Sequence, residues 1–233
     1  MDFNFLFFLE GIRQAVLHIP VTLSVAASVM GLGIVFGFAV ALTRCYRVRY
    51  LAAFFRILVT VLRGIPIILI LLTFQVIVAF TYDDTMARLG LPYSYRNLNK
   101  AFIAIAAMSL PATVSMSEVF RGSFAAVDRN QFDASTAIGH RGFQTLFRIV
   151  LPQMIPVSIP MTGNIIISTI KSTSLLMYLS VVDILNGAAL AAAVNYRFLE
   201  AYLAAALVFW GICALLEWLF HILERKTKLR GAA

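Results

Sequence analysis

Charge is scarce in this chain: Asp, Glu, Lys and Arg make up 13% of its 233 residues, against 61% apolar residues. An ordinary soluble domain carries about 25% charged residues, so this composition excludes one. Glycine is never followed by lysine, so the G-x-x-x-x-G-K-[ST] cradle is absent and the chain has no such site of its own for ATP. Cysteine occurs only as Cys45 and Cys213, with no metal-ligand spacing, and both read as free thiols. His18, His140 and His221 are far apart and lack zinc-ligand spacing; they read as interfacial histidines, and no metal is expected. No serine is accompanied by a histidine and an acid at a recognisable spacing, so nothing supports an enzyme. Acids are few beside bases, giving a net charge of +8. The bases lie at the ends of apolar runs, which fits membrane topology and not nucleic-acid binding. The N-terminus has acids at Asp2 and Glu10 and no basic region before its apolar residues. Residues 1–14 are therefore a poor signal peptide and read as an interfacial helix.

What the chain does have is long apolar runs, several reaching the roughly 20 residues that cross a bilayer core. They predict an all-α membrane protein with spans at residues 15–43, 51–80, 101–120, 155–182 and 197–223, and a basic tail at 224–233. Gly33 and Gly37 in the first span have the small-xxx-small spacing of closely packed membrane helices. Arg63-Gly64-Ile65-Pro66 should kink or break the second, because proline removes a backbone donor, and an arginine at that depth needs a partner or water. Residues 81–100, with Asp83 and Asp84, read as a polar loop, and Pro111 is expected to break the third span. The fourth is the most polar, with Asn164, Ser168, Thr169, Lys171, Thr173 and Ser174. An odd number of spans puts the termini on opposite sides. Arg44, Arg47, Arg49, Arg121, Arg129, Arg141, Arg148, Arg225, Lys226, Lys228 and Arg230 fall on one side, and only Arg13, Arg88, Arg96, Lys100 and Arg197 on the other. The richer side is assigned to the cytoplasm, which puts the N-terminus outside and the C-terminus inside.

Residues 121–154 are the longest polar interruption. Asp128, Asn130 and Asp133 offer helix-capping side chains, small residues follow, and Gly139 can take the positive φ that stops a helix. Phe143, Leu146, Phe147 and Val150 then recur at helical spacing on one apolar face, and Pro152 should end that second helix. The pattern is a compact helix–turn–helix between two spans.

Asp133-Ala134-Ser135, three residues, Gly139, nine residues, then Ile149-Val150-Leu151-Pro152 resembles the cytoplasmic loop of importer-type permeases of ATP-binding-cassette (ABC) transporters. The family has Glu-Ala-Ala at the start, so Asp133 and Ser135 are departures. The motifs Glu118-Val119-Phe120-Arg121-Gly122, Leu151-Pro152-Gln153 and Lys171-Ser172-Thr173-Ser174-Leu175 are similar to those of its polar amino-acid branch. Arg63-Gly64-Ile65-Pro66 resembles that branch's Arg-Gly-Thr-Pro. The resemblance covers roughly residues 18–225. It implies a type I permease in a bacterial cytoplasmic membrane, forming half of a path for a polar amino acid. Its implied partners are a second permease subunit, an extracellular binding protein, and ATPase subunits that bind ATP and Mg, so that this chain needs no cofactor. Asp133, Ala134, Ser135, Gly139, Phe143, Leu151 and Pro152 would form the coupling site. The rival reading is a self-contained secondary transporter or channel. It predicts internal repeats, of which none is visible, and leaves the 128–152 loop without a use.

For the substrate path, Asn164, Ser168 and Lys171 fall on one helical stripe, with Thr173 beside them. Lys171 is either path-lining or a brace bonded to helix-end carbonyls or to Glu118 or Asp183. Arg63 and Glu118 are the remaining path candidates.

Overall fold

The computed structural model describes residues 3–46 and 48–231, with side chains as far as Thr227. Asp2 and Arg47, both used in the sequence reading, lie outside the described residues, as do the side chains of Lys228 and Arg230. The described chain is all helical, without strands, and five of its helical runs are long and apolar enough to cross a membrane. These are Ile19–Cys45, Ile67–Arg88, Lys100–Ala125, Gly142–Leu179 and Phe198–Thr227.

The centre of the bundle is the pair α2 (Ile19–Cys45) and α5 (Lys100–Ala125). They approach closely because Gly33 and Gly37 face Ala112 and Met116. A Cβ on Gly37 would lie 2.7 Å from the Met116 Cβ, and one on Gly33 would lie 3.0 Å from the Ala112 Cβ. Without a hydrophobic drive between helices in lipid, such backbone proximity is what gains dispersion contact. Val25, Val29, Met30, Leu71, Ile103, Met108 and Met116 fill the core around this crossing. Pro111 does not break α5, contrary to expectation. The helix continues past the missing N–H because α2, α4 (Ile67–Arg88) and α8 (Leu151–Ser172) hold it on several sides.

The second span resolves into two helices, α3 (Arg49–Gly64) and α4 (Ile67–Arg88), separated at Ile65-Pro66. Only α4 has the length and hydropathy of a crossing. It runs to Arg88, so Asp83 and Asp84 lie on its last turns and not in a loop. The Thr81 and Thr85 hydroxyls donate back to the Ile77 and Thr81 carbonyls and sustain those turns. A 3₁₀ turn at Tyr95–Asn97 is tied to α4 where the Tyr95 N–H donates to Asp83.

Two short helices pack beside the crossings at one end of the bundle. α1 (Phe5–Leu17) begins at Asn4, whose side chain accepts the Phe7 N–H. It lies against α9 (Ile184–Ala192) and α10 (Phe198–Gly231), where small residues Ala15, Ala188, Ala192, Ala201 and Ala205 permit close packing. The Asn4 N–H also donates to Glu200, which accepts from Arg197. The expected tail at 224–233 starts as a continuation of α10.

Candidate coupling corner and transport path

Between α5 and the next crossing the chain forms α6 (Arg129–Ala137) and α7 (Gly142–Thr145). Asp128 caps α6 by accepting the Asn130 N–H. At its other end Gly139 takes φ +82°. The Gly139 N–H bonds the Thr136 carbonyl and the His140 N–H the Ser135 carbonyl, the paired reversed bonds of a Schellman closure. The corner is then locked by side chains. The buried Ser135 hydroxyl meets the Thr145 hydroxyl at 2.7 Å and the His140 Nδ1 at 3.2 Å, tying α6 to α7. The one small residue that departs from Ala in the loop motif is the one that makes this tie. His140 and Thr145 joined it without any sequence signal, since their roles depend on the fold.

Pro152 does not end a helix. A π-helical turn, Leu146–Val150, carries α7 directly into α8 (Leu151–Ser172), and Pro152 sits in the first turn of α8. The Leu151 N–H reaches back to the Leu146 carbonyl, and this wider turn precedes a residue with no N–H to give. The expected apolar face divides as a result. Leu146 and Val150 are buried against Phe124, Val127 and Met154, with Leu151 at the edge. Phe143 and Phe147 stay 74% and 50% exposed, their rings 4.6 Å apart. Asp133, Ala134, Gly139 and Pro152 are also exposed. The corner thus presents an apolar ring pair and a carboxylate on a hydrogen-bonded frame.

Directly behind the corner, Glu118 on α5 gathers arginines. Arg44 from α2 bonds one carboxylate oxygen and Arg121 bonds the other at 2.7 Å, while Arg63 of α3 stands 3.9 Å away. Arg63 and Glu118 are therefore neighbours, as an ion-pair junction of three helices.

The polar residues of α8 separate into different surroundings. Asn164, Ser168 and Lys171 are exposed along the helix, whereas Thr173 is buried with its hydroxyl on the Ile170 carbonyl. Ser168 lines a cavity of about 110 Å³ with Ile67, Pro111, Ser115, Thr169 and Ser172. Asn164 lines a different cavity of about 170 Å³ with Glu217, His221 and Glu224 of α10. The stripe runs between α5 and α10, so its members share a face without sharing a cavity. Lys171 is not braced by either acid. Glu118 is held by Arg44 and Arg121, and Asp183 caps α9. Among the described residues, the Ser115 and Ser168 hydroxyls donate to no protein group, while Thr169 donates to Met30 and Ser172 to the Ser168 carbonyl. Ser115 was missed because the third span was read only for its proline and for Glu118 at its end.

A multi-helix membrane domain with a rigid exposed corner and polar cavities between its crossings is the transmembrane part of a transporter. The chain belongs to the family of binding-protein-dependent transport system inner membrane components, whose model matches residues 33–229. It is a transport subunit of the permease type. It is 30% identical over 212 residues to the L-cystine transport system permease protein TcyL of Bacillus subtilis, covering 91% of this chain and 86% of that protein. It is 33% identical over 196 residues to TcyB, a second L-cystine permease of the same organism, covering 83% and 78%. Among solved structures, an amino acid ABC transporter crystallised with histidines aligns with a TM-score of 0.79 at 20% identity, over 97% of this chain and 100% of that one. An inward-facing MetNI methionine ABC transporter aligns with a TM-score of 0.68 at 15% identity, over 94% and 95%. At those identities the two structures establish the shared fold.

Proposed function

We propose that the chain forms half of the membrane path of an ABC importer for a polar amino acid, in a bacterial cytoplasmic membrane. The observation that carries this reading is the locked corner. A loop exposed to water gains nothing from displaying two adjacent phenylalanine rings unless a partner covers them. Its α6–α7 frame transmits displacement to α5 through Val127 and to α8 through the π turn. ATPase subunits, which bind ATP and Mg, would clasp this corner, and their closure would rock the crossings by favouring one of two packings. A second permease copy or paralogue and an extracellular binding protein complete the assembly. The amino-acid class follows the relatives, which are named as L-cystine and other amino-acid permeases.

The path is proposed to pass the α4–α5–α8 cavity. Ser115 and Ser168 line that cavity and offer unengaged hydroxyls to a polar solute. Asn164 stands further along the same exposed face. The test is uptake and ATPase activity of the reconstituted complex, screened over amino acids. Ser168→Ala together with Ser115→Ala should weaken uptake and shift substrate preference while basal ATP hydrolysis persists. Normal transport by that variant would move the path to Arg63 and Glu118. Uptake by the chain without an ATPase would establish the secondary-transporter alternative.

A further inference from the structure

Where α2 and α5 end, a third and larger cavity of about 410 Å³ opens under the corner, lined by Arg44, Arg121 and Arg129 together with Tyr46, Phe124 and Phe132. Its charge is unbalanced. Among the described residues Glu118 is the only carboxylate within salt-bridge distance of Arg44, Arg63 and Arg121, and Arg129 has none. Three arginines therefore line one cavity, with the Glu118 carboxylate already engaged on both oxygens by two of them. Each arginine carries five N–H donors, so donors remain after Glu118 is satisfied. Arg44 is largely withdrawn from solvent, its side chain 13% exposed, and it shares the Glu118 carboxylate with Arg121, so the cluster as a whole keeps a net positive charge that an arriving anion would offset.

The remainder of the wall is apolar. Phe124 and Val127 are buried, and Ala125 and Phe132 continue the surface. A free inorganic anion has no use for that half, whereas an amphiphile has use for both. The position agrees: the cavity lies at the ends of two membrane-crossing helices, the depth at which phospholipid headgroups sit, and basic pockets between crossings are the usual receptors for them.

The geometry points to a site for the phosphate of an anionic phospholipid headgroup, clamped by Arg44, Arg121 and Arg129, with its glycerol and upper acyl chains against Phe124 and Phe132. A lipid held there bridges α6 to the ends of α2 and α5. The site does not depend on which solute is transported, and its test reads binding, so its failure leaves the proposed transport role standing.

The full chain, purified with whatever subunits accompany it, is exchanged into detergent with phosphatidylglycerol or phosphatidylcholine, and retained lipid is counted by native mass spectrometry. One phosphatidylglycerol per chain is expected to remain where phosphatidylcholine washes off. Arg129→Gln should reduce that retention about fivefold, and Arg129→Lys should keep most of it, because the basic charge beside an anionic lipid is lost in the first and kept in the second. Arg129 is exposed and unpaired, so its replacement leaves the bundle intact; Arg44→Gln provides a second, more disruptive variant. Equal retention of the two lipids, or retention unaffected by Arg129→Gln, overturns the site in favour of ordinary surrounding lipid. Displacement of phosphatidylglycerol by inorganic phosphate, with equal thermal stabilisation by phosphate alone, overturns the lipid assignment in favour of a soluble anion.

Discussion

At Gly139 the backbone occupies φ +82° with open space where a side chain would begin. The penalty for replacing it is therefore conformational and not steric. An L-residue there loses roughly 1–2 kcal/mol, and a β-branched one stands at the upper end of that range. Gly139→Val should insert into the membrane normally, fray the closure after α6, and lose ATP-driven uptake, while Gly139→Asn retains a good part of it. Full uptake by the valine variant would remove Gly139 from coupling. A second residue-scale effect concerns Asp183. Its carboxyl is wholly buried at the start of α9, with Oδ1 accepting the Asn186 N–H and Oδ2 unpartnered. Burial pushes its pKa above the ordinary carboxylate value, against the backbone donors of Asn186 and Leu185 and the nearby His18, which pull it down. A folded-state pKa above the unfolded one contributes stability that is complete below the unfolded pKa and disappears as pH rises through the folded one. Asp183→Asn keeps the cap acceptor without the charge. Thermal unfolding of that variant should lose part of the decline between acid and neutral pH, and an unchanged pH profile would clear Asp183 of the effect.

Among the elements, those whose signals are local were readable from the sequence. Asp128 and Gly139 bound α6 by cap chemistry, and the Gly33–Gly37 spacing marked the α2 face that meets α5. Elements decided by neighbours were not readable. Proline chemistry says that a helix is weakened at Pro111 and Pro152 but not whether surrounding helices or a widened turn will carry it through. In both cases they do. α9 was missed because its alanine-rich run has neither polar alternation nor a span's length. Its one start signal, Asp183, was read instead as a possible partner for Lys171. The same dependence on neighbours divided the Phe143–Val150 face, since periodicity places four residues on one side without saying that two are buried under Phe124 and Val127. This leaves Phe143 and Phe147 as the exposed pair, to which the proposed ATPase contact is assigned. Phe143→Ala with Phe147→Ala should leave the chain folded, because neither side chain fills the core, yet reduce recovery of the ATPase subunits on purification several-fold. Hydrogen exchange of residues 131–147 should slow when the ATPase is present. Equal exchange with and without it would separate this corner from the ATPase.

For the molecule as a whole, the proposed orientation rests on charge. The loop after α2, the α6–α7 corner and the end of α10 carry most of the arginines and lysines, and a basic excess is retained on the cytoplasmic side during insertion because moving it across the bilayer is unfavourable. The Glu118 junction joins this same end, since Arg44 of α2, Arg63 of α3 and Arg121 of α5 converge on one carboxylate. The opposite end holds Arg88, the Lys100 ammonium over the Tyr95 ring, and the Arg197–Glu200 pair. With five crossings, the proposed orientation puts the α1 end outside and the corner inside, the side on which a cytoplasmic ATPase could reach Phe143 and Phe147. In a background with Cys45 and Cys213 replaced by serine, Tyr93→Cys, in the exposed turn after α4, should react with an impermeant maleimide on intact cells. Gln144→Cys, exposed on α7, should react only after permeabilisation. The inverse pattern would turn the molecule over and place the corner outside, out of reach of any ATPase, and the transport mechanism proposed for it would fall with the topology.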